Sequence, residues 1–399
     1  MKSKPANNIQ DLQFFGEFGG VNPSISDSST YTFLSANSMS ETFEGNMEGC
    51  YLYSRNSSPS NLYLEEACAA LEGTEAANVF SSGMGAITAT ILQLCKSEDH
   101  IISSRTVYGG TYAFLKNFTP QLKIETTFVD ITSLDDINNS IKPNTKIIYC
   151  EVSSNPLLEI ADLKEISKIA KKNNIKLVVD NTFTPLSISP AKYGADVVIH
   201  SLTKFINGTS DTIAGVVCSS KEFIHSLRDV NDGAFMLMGT TMDSLRAASV
   251  LKNMRTLHIR MKKHSENAMY LAESFEKDGI KAVYPGLKSH PSHKIFSKMM
   301  NKDYGYGGML TIDAVSLETA NKLMEKMQDK NLGYLAVSLG FHKTLFCAPG
   351  TSTSSEISEE EQEKMGLSEG LIRFSVGLDQ DISRTYEGIK KCLKEFNLI

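Results

Sequence analysis

Ala195–Asp211 reads ADVVIHSLTKFINGTSD, an apolar run that ends in hydroxyls and a lysine. The β-branched stretch Asp196–His200 has the composition of a strand buried on both faces, and Ser201, Thr203 and Lys204 follow at its carboxyl end. In open α/β sheets ligands bind at that edge. Ser201 and Thr203 stand at i and i+2, so on an extended chain both hydroxyls point the same way and can donate to one phosphate, with Lys204 beside the same anion. A lysine after an apolar strand is by itself usually a surface residue; the two hydroxyls make this one a candidate.

The same pattern recurs on either side of that segment. Short β-branched runs at Ala77–Phe80, His100–Ser103, Ile124–Val129, Lys146–Glu151, Lys176–Asp180 and Gly215–Cys218 alternate with longer polar-apolar stretches, as a mainly parallel sheet covered by helices requires. Asp162–Asn174 shows one such helix, with Leu163, Ile166 and Ile169–Ala170 on a single face, Asp162 as cap and Asn173-Asn174 as stop. Residues 1–55 are punctuated, extended chain and read as an arm; 56–245 read as a large α/β domain; 246–399 read as a smaller α+β domain. In the last, Leu245–Lys277 reads as one long helix, and Met309–Ala314, Leu335–Leu339 and Leu371–Val376 as strands. The acidic run Ser358–Lys364 reads as a solvated first helical turn with Glu360 and Lys364 at i, i+4.

Three further edge segments carry chemistry. Asp180 closes an apolar strand 24 residues before Lys204, room for a crossover between neighbouring strands, so acid and amine can face one ligand from opposite ends. Ser81-Ser82-Gly83-Met84-Gly85 opens into a helix expected over Ala86–Cys95, and its glycines allow backbone N–H groups to approach an anion. The dinucleotide fingerprint fails for want of a third glycine, and a single phosphate suits the segment better. Tyr108-Gly109-Gly110-Thr111 puts an aromatic ring at the same edge, where a flat cofactor can stack on it. An anion cradle, a stacking ring, a carboxylate and a lysine amine match pyridoxal 5′-phosphate (PLP): the amine condenses with its aldehyde, the carboxylate holds the ring nitrogen protonated, and the ring accepts electrons. Arg373, in the apolar setting Leu371-Ile372-Arg373-Phe374, suits planar recognition of a carboxylate.

From Phe15-Gly16-Glu17-Phe18-Gly19-Gly20 to Leu371–Gly377 the sequence resembles the Cys/Met-metabolism family of PLP enzymes. Within it, Tyr51–Arg55, Tyr304–Gly308 and Ser352–Glu356 are most similar to plant-type methionine γ-lyases. The resemblance implies a fold-type-I, transaminase-like subunit in a homotetramer built as a dimer of dimers. It implies Lys204 as the lysine joined to PLP, Asp180 at the pyridine nitrogen, Tyr108 as stacking ring and acid for the departing thiolate, and Ser82, Gly83, Met84, Ser201 and Thr203 at the phosphate. Tyr53 and Arg55 would reach the phosphate of a neighbouring subunit, Asn155 the cofactor's 3′-oxygen, and Arg373 with Ser338 the substrate carboxylate. The implied reaction is γ-elimination of methionine to methanethiol, 2-oxobutanoate and ammonia. The alternatives are γ-replacement, as in cystathionine γ-synthase or O-acylhomoserine sulfhydrylase, and cystathionine γ-lyase. Gly110 stands where microbial methionine γ-lyases usually have cysteine, which points to the plant-type subfamily; Cys347 stands where cystathionine γ-lyases usually have an acid, which favours an apolar thioether.

Composition narrows the rest. The chain has 399 residues, 41% hydrophobic and 22% charged, with a net charge of −6 and no clustered basic face, which argues against nucleic-acid or anionic-membrane binding. No run approaches the ~18 apolar residues of a membrane span, and Met1–Asp11 lacks a secretory apolar core. The seven cysteines are an odd number without a C-x-x-C pair and read as free thiols, so the expected compartment is the cytoplasm. Only His290 and His293 are closely spaced, with no H-E-x-x-H, so no metal site is expected.

Overall fold

The computed structural model describes residues 4–44, 47 and 49–399; Met1–Ser3, Gly45, Asn46 and Glu48 of the expected arm lie outside the described residues. Strands β1 (Ala76–Phe80), β2 (His100–Ser104), β3 (Glu125–Val129), β4 (Thr145–Glu151), β5 (Lys176–Asp180), β6 (Val197–His200) and β7 (Gly215–Ser219) form one sheet in the order β1-β7-β6-β5-β4-β2-β3. β7 is antiparallel to both neighbours and the other pairs are parallel. β1 to β6 therefore all deliver their carboxyl ends to one edge.

The inner strands are apolar throughout because both faces are covered. Phe80, Ile147, Tyr149, Val178, Ile199 and Val217 pack with the helix Gly83–Leu94 on one face. Val79, Val198 and Val216 meet the helices Pro59–Glu72 and Ser244–Met254 on the other, where Ile148 and Val179 meet Leu163–Lys172. Each buried Val or Ile contributes about 1.5–3 kcal/mol, enough to drive assembly. With both faces apolar, however, in-out alternation says little about which residue ends a strand. Buried polar contacts do that work here. Glu72 Oε1 meets His200 Nε2 at 2.7 Å and accepts from Asn181 Nδ2 at 3.0 Å, tying the ends of β5 and β6 to the helix beneath.

A second sheet, β8 (Ala282–Val283), β9 (Met309–Asp313), β10 (Tyr334–Leu335), β11 (Leu345–Cys347) and β12 (Leu371–Ser375), has the order β10-β11-β12-β9-β8. The helices Leu257–Lys277, Leu317–Asp329 and Ile382–Glu395 cover the face that carries Leu310, Ile312, Ile372 and Phe374. Arg373, between two of these, is turned to the opposite face.

Two expectations are corrected and a third is extended. Leu245–Lys277 is two helices, Ser244–Met254 and Leu257–Lys277, because the Asn253 carbonyl is taken by Thr256 Oγ1 and Arg260 Nη2 instead of by a continuing helix. The strand expected over Leu335–Leu339 pairs only at Tyr334–Leu335; beyond it the chain leaves the sheet, and Val337 gives its carbonyl to Arg373. The acidic helix Glu359–Met365 is exposed and has the Glu360–Lys364 pair, yet it is also anchored, since Tyr112 and Lys116 both donate to Glu361.

Replacing Glu72 by Ala strands buried donors on His200 and Asn181, an expected loss of about 2–4 kcal/mol. Urea unfolding should show a clearly lowered midpoint for Glu72→Ala, against a change below about 1 kcal/mol for the more exposed Glu75→Ala.

Candidate active site

The carboxyl edge of the first sheet and the uncovered face of the second enclose a cavity of about 280 Å³. Its wall holds Ser82, Gly83, Met84, Tyr108, Asn155, Asp180, Ser201, Thr203, Lys204 and Arg373, ten of the residues singled out from sequence. The helix after β1 starts at Gly83, three residues earlier than expected, with Ser82 as cap: its Oγ accepts from Gly85 N at 2.9 Å. The N–H groups of Gly83 and Met84 lie in the first turn, where a helix offers no internal acceptor, and they border the cavity. A Cβ at Gly83 would stand 2.8 Å from Ser201 Cβ, so glycine is what lets the two segments meet.

Beyond His200 the chain turns, so Ser201 and Thr203 share the cavity through that turn and not through strand alternation. Ser201 N donates to Thr182 Oγ1 at 2.8 Å, and Thr203 Oγ1 accepts from Ala214 N at 3.0 Å. The turn aims Lys204 inward, where its Nζ donates to Ser338 Oγ at 3.1 Å. Burial, and then the positive charge of Arg373, bring the Lys204 amine down to about 8.

Asp180 Oδ1 accepts from Thr182 N at 2.8 Å, and burial raises its proton affinity; no ion pair compensates it among the described residues. Arg373 is 2% exposed. Its Nη1 donates to Asn155 Oδ1 at 2.8 Å and its Nη2 to Val337 O at 3.0 Å, while Nε finds no partner among the described residues. Tyr108 precedes the helix Gly109–Ala113 and is partly exposed. Gly110 is not on the wall; a Cβ there would lie 2.7 Å from Tyr108 Cε1 and 3.2 Å from Met84 Sδ, so it governs the ring's seat.

Other expected residues stand apart. Cys347 is buried opposite Arg373 in the β11–β12 register and is not on the cavity wall. Tyr53 and Arg55 border a separate surface depression with Thr241, which donates to the Arg55 carbonyl at 2.9 Å. Sequence reading missed Glu151, Thr182, Phe183, Ile213 and Thr353. Glu151 bore the same signal as Asp180, an acid closing an apolar strand; Thr353 lies in Ser352–Glu356, marked only by resemblance, and Ile213 comes from a loop that bears no signal.

The profile of the Cys/Met metabolism PLP-dependent enzymes matches residues 8–392. This chain belongs to that family. It is 45% identical over 380 residues to the methionine γ-lyase of Arabidopsis thaliana, covering 94% of this chain and 86% of that one. It is 39% identical to an L-methionine γ-lyase of Fusobacterium nucleatum, covering 94% of each, and 37% identical to the cystathionine γ-lyase of Bacillus subtilis, covering 85% and 89%. A solved Campylobacter jejuni structure bearing pyridoxyl-lysine-5′-monophosphate superposes with a TM-score of 0.90 at 29% identity over 98% of this chain and all of that one. The family depends on PLP, and the fold is that of its trans-sulfuration enzymes.

The residues present fit that cofactor. Asp180 is a buried carboxylate that lacks a cation, which a protonated ring nitrogen supplies; the open N–H groups at Gly83 and Met84 suit a phosphate; Lys204 is an amine with reduced proton affinity. The lowered lysine fixes a pH dependence. Below about 8 the neutral amine loses about tenfold per pH unit, and above it the gain stops, whereas an unshifted lysine gains up to about 10.4. Stopped-flow uptake of PLP by the apoenzyme should level near pH 8, and Arg373→Ala should move that break upward.

Proposed function

We propose that this chain is a methionine γ-lyase, which cleaves L-methionine to methanethiol, 2-oxobutanoate and ammonia. The observation that carries the reading is the charge inventory of the cavity. Lys204, Asp180, Glu151 and Arg373 are its charged residues among those described, and the rest of the wall includes Ile87, Phe183, Ile213, Val337 and Leu339. Once the cofactor and one substrate carboxylate are matched, only Glu151 is left, its two oxygens already taken by the N–H groups of Tyr108 and Asn155, and no cation is left for the distal carboxylate of cystathionine. An unbranched apolar thioether suits what remains. The 45% identity to a plant methionine γ-lyase supports the same choice.

Bound PLP supplies an aldehyde for amines and an electron sink for charge developing beside the substrate's amino-bearing carbon. Asp180 would hold the proton on the ring nitrogen, and Gly83, Met84, Ser201 and Thr203 would hold the phosphate. Arg373 grips the substrate carboxylate with a guanidinium already oriented by Asn155 and Val337, and Ser338 assists it. Lys204 Nζ takes the α-proton and then a proton from the β-carbon, whose electron pair expels the sulfur from the γ-carbon, a role suited to an amine brought down to about 8. Tyr108 would lie against the bound ring, and its hydroxyl would give a proton to the departing sulfur. Phe183 and Leu339 keep water from the reacting carbons. We take residues 1–55 as the arm that brings Tyr53 and Arg55 to the phosphate of a neighbouring copy in a cytoplasmic homotetramer; the exposed apolar side chains of Phe15, Phe18, Val21 and Leu34 support such a contact.

A substrate panel tests the reading. Methionine alone should yield 2-oxobutanoate and methanethiol in equal amounts. Keto acid formed only from cystathionine, or only consumption of O-acetylhomoserine with sulfide, would overturn it. Lys204→Ala should abolish turnover. Arg373→Lys should raise the KM for methionine about 30-fold, the loss of a charge-assisted bidentate contact of about 2 kcal/mol.

A further inference from the structure

Glu151 is the one charged residue of the cavity wall that the scheme above leaves without a part. It closes β4, stands opposite Asp180 in the β4–β5 register and is 6% exposed. Burial, and then the neighbouring carboxylate of Asp180, hold its proton affinity well above the usual carboxylate range, so the fold accepts a cost to keep an acid there.

Its two oxygens serve two different loops. Oε1 accepts from Tyr108 N at 2.7 Å, in the loop that follows β2, and Oε2 accepts from Asn155 N at 2.8 Å, in the loop that follows β4. Asn155 in turn receives Arg373 Nη1 at 2.8 Å through its own side chain. Direct contacts therefore run from the ring-bearing loop, through one carboxylate, to the guanidinium that crosses from the second sheet. A glutamine in this place has one acceptor only, and its amide nitrogen would face an N–H donor. An aspartate keeps the charge but is one methylene too short to span both amides.

We infer that Glu151 is a positioning residue whose carboxylate clamps the Tyr108 and Asn155 loops together and so sets the Tyr108 ring and the Arg373 guanidinium relative to each other. This rests on the reading of Tyr108 as the stacking ring and Arg373 as the carboxylate ligand.

The test compares Glu151→Gln and Glu151→Asp with the wild-type holoenzyme by the visible circular dichroism of bound PLP and by steady-state kinetics. Both variants should take up PLP, lose at least half of the cofactor's dichroic band and raise the KM for methionine about tenfold, the scale of one charged hydrogen bond. A purely structural role would lower the unfolding temperature and leave the band and KM unchanged, which overturns the inference. Full rescue by aspartate also overturns it, since charge without span would then suffice. A wild-type protein that does not bind PLP sinks the underlying reading instead, so the two failures are distinct. If neither variant folds, amide exchange in the wild-type protein decides: protected N–H groups at Tyr108 and Asn155 support the clamp, and unprotected ones refute it.

Discussion

A lysine amine held out of water beside an arginine, facing a buried carboxylate that has no cation of its own among the described residues, is the constraint on which the rest of the structure turns. Each of these groups is costly in isolation. A buried charge without a partner is tolerated where a ligand completes it, and the cavity offers a negative site for a ring nitrogen, open amides for a phosphate and an amine for an aldehyde. The same desolvation that raises Asp180 lowers Lys204, so burial pushes acid and base toward the neutral range together.

The two sheets divide the work. The first brings the carboxyl ends of six strands to one edge and supplies the residues that suit the cofactor. The second supplies Arg373, and the chain leaving β10 supplies Ser338. Their relative position is held close to the chemistry. Arg260, from the helix Leu257–Lys277, donates to the Phe205 and Ile206 carbonyls directly after Lys204, and His264 on the same helix meets the Val376 carbonyl at 2.6 Å. Gly340 completes the junction: its φ is +80°, and a Cβ would fall 2.5 Å from Phe205 N, so the second sheet's loop approaches the lysine turn as closely as backbone permits. Packing stability and lysine placement are thus the same set of contacts.

Much of this was legible in the residues. Strands buried on both faces write themselves as continuous apolar runs, which is why the seven strands of the large sheet were found to within a residue at each end and why Asp180 and Lys204 stood out at their termini. Boundaries set by side-chain contacts were not legible. The break at Arg255-Thr256 depends on Arg260 reaching back to Asn253, and the early end of β10 depends on Arg373 claiming Val337 O. The helix at Gly83 began inside the glycines because Ser82 caps it. Thr353 and Ile213 reach the cavity from distant loops, the first marked by resemblance alone and the second by no local pattern. The parts given to Tyr53 and Arg55 came from family resemblance alone, and in their own subunit these residues lie away from the cavity.

The most direct test is chemical. Reduction of the PLP-loaded protein with borohydride, followed by digestion and mass mapping, should find a pyridoxyl-phosphate adduct on the side chain of Lys204. A protein that holds PLP while Lys204 stays unmodified, or with the adduct on another lysine, would contradict the account.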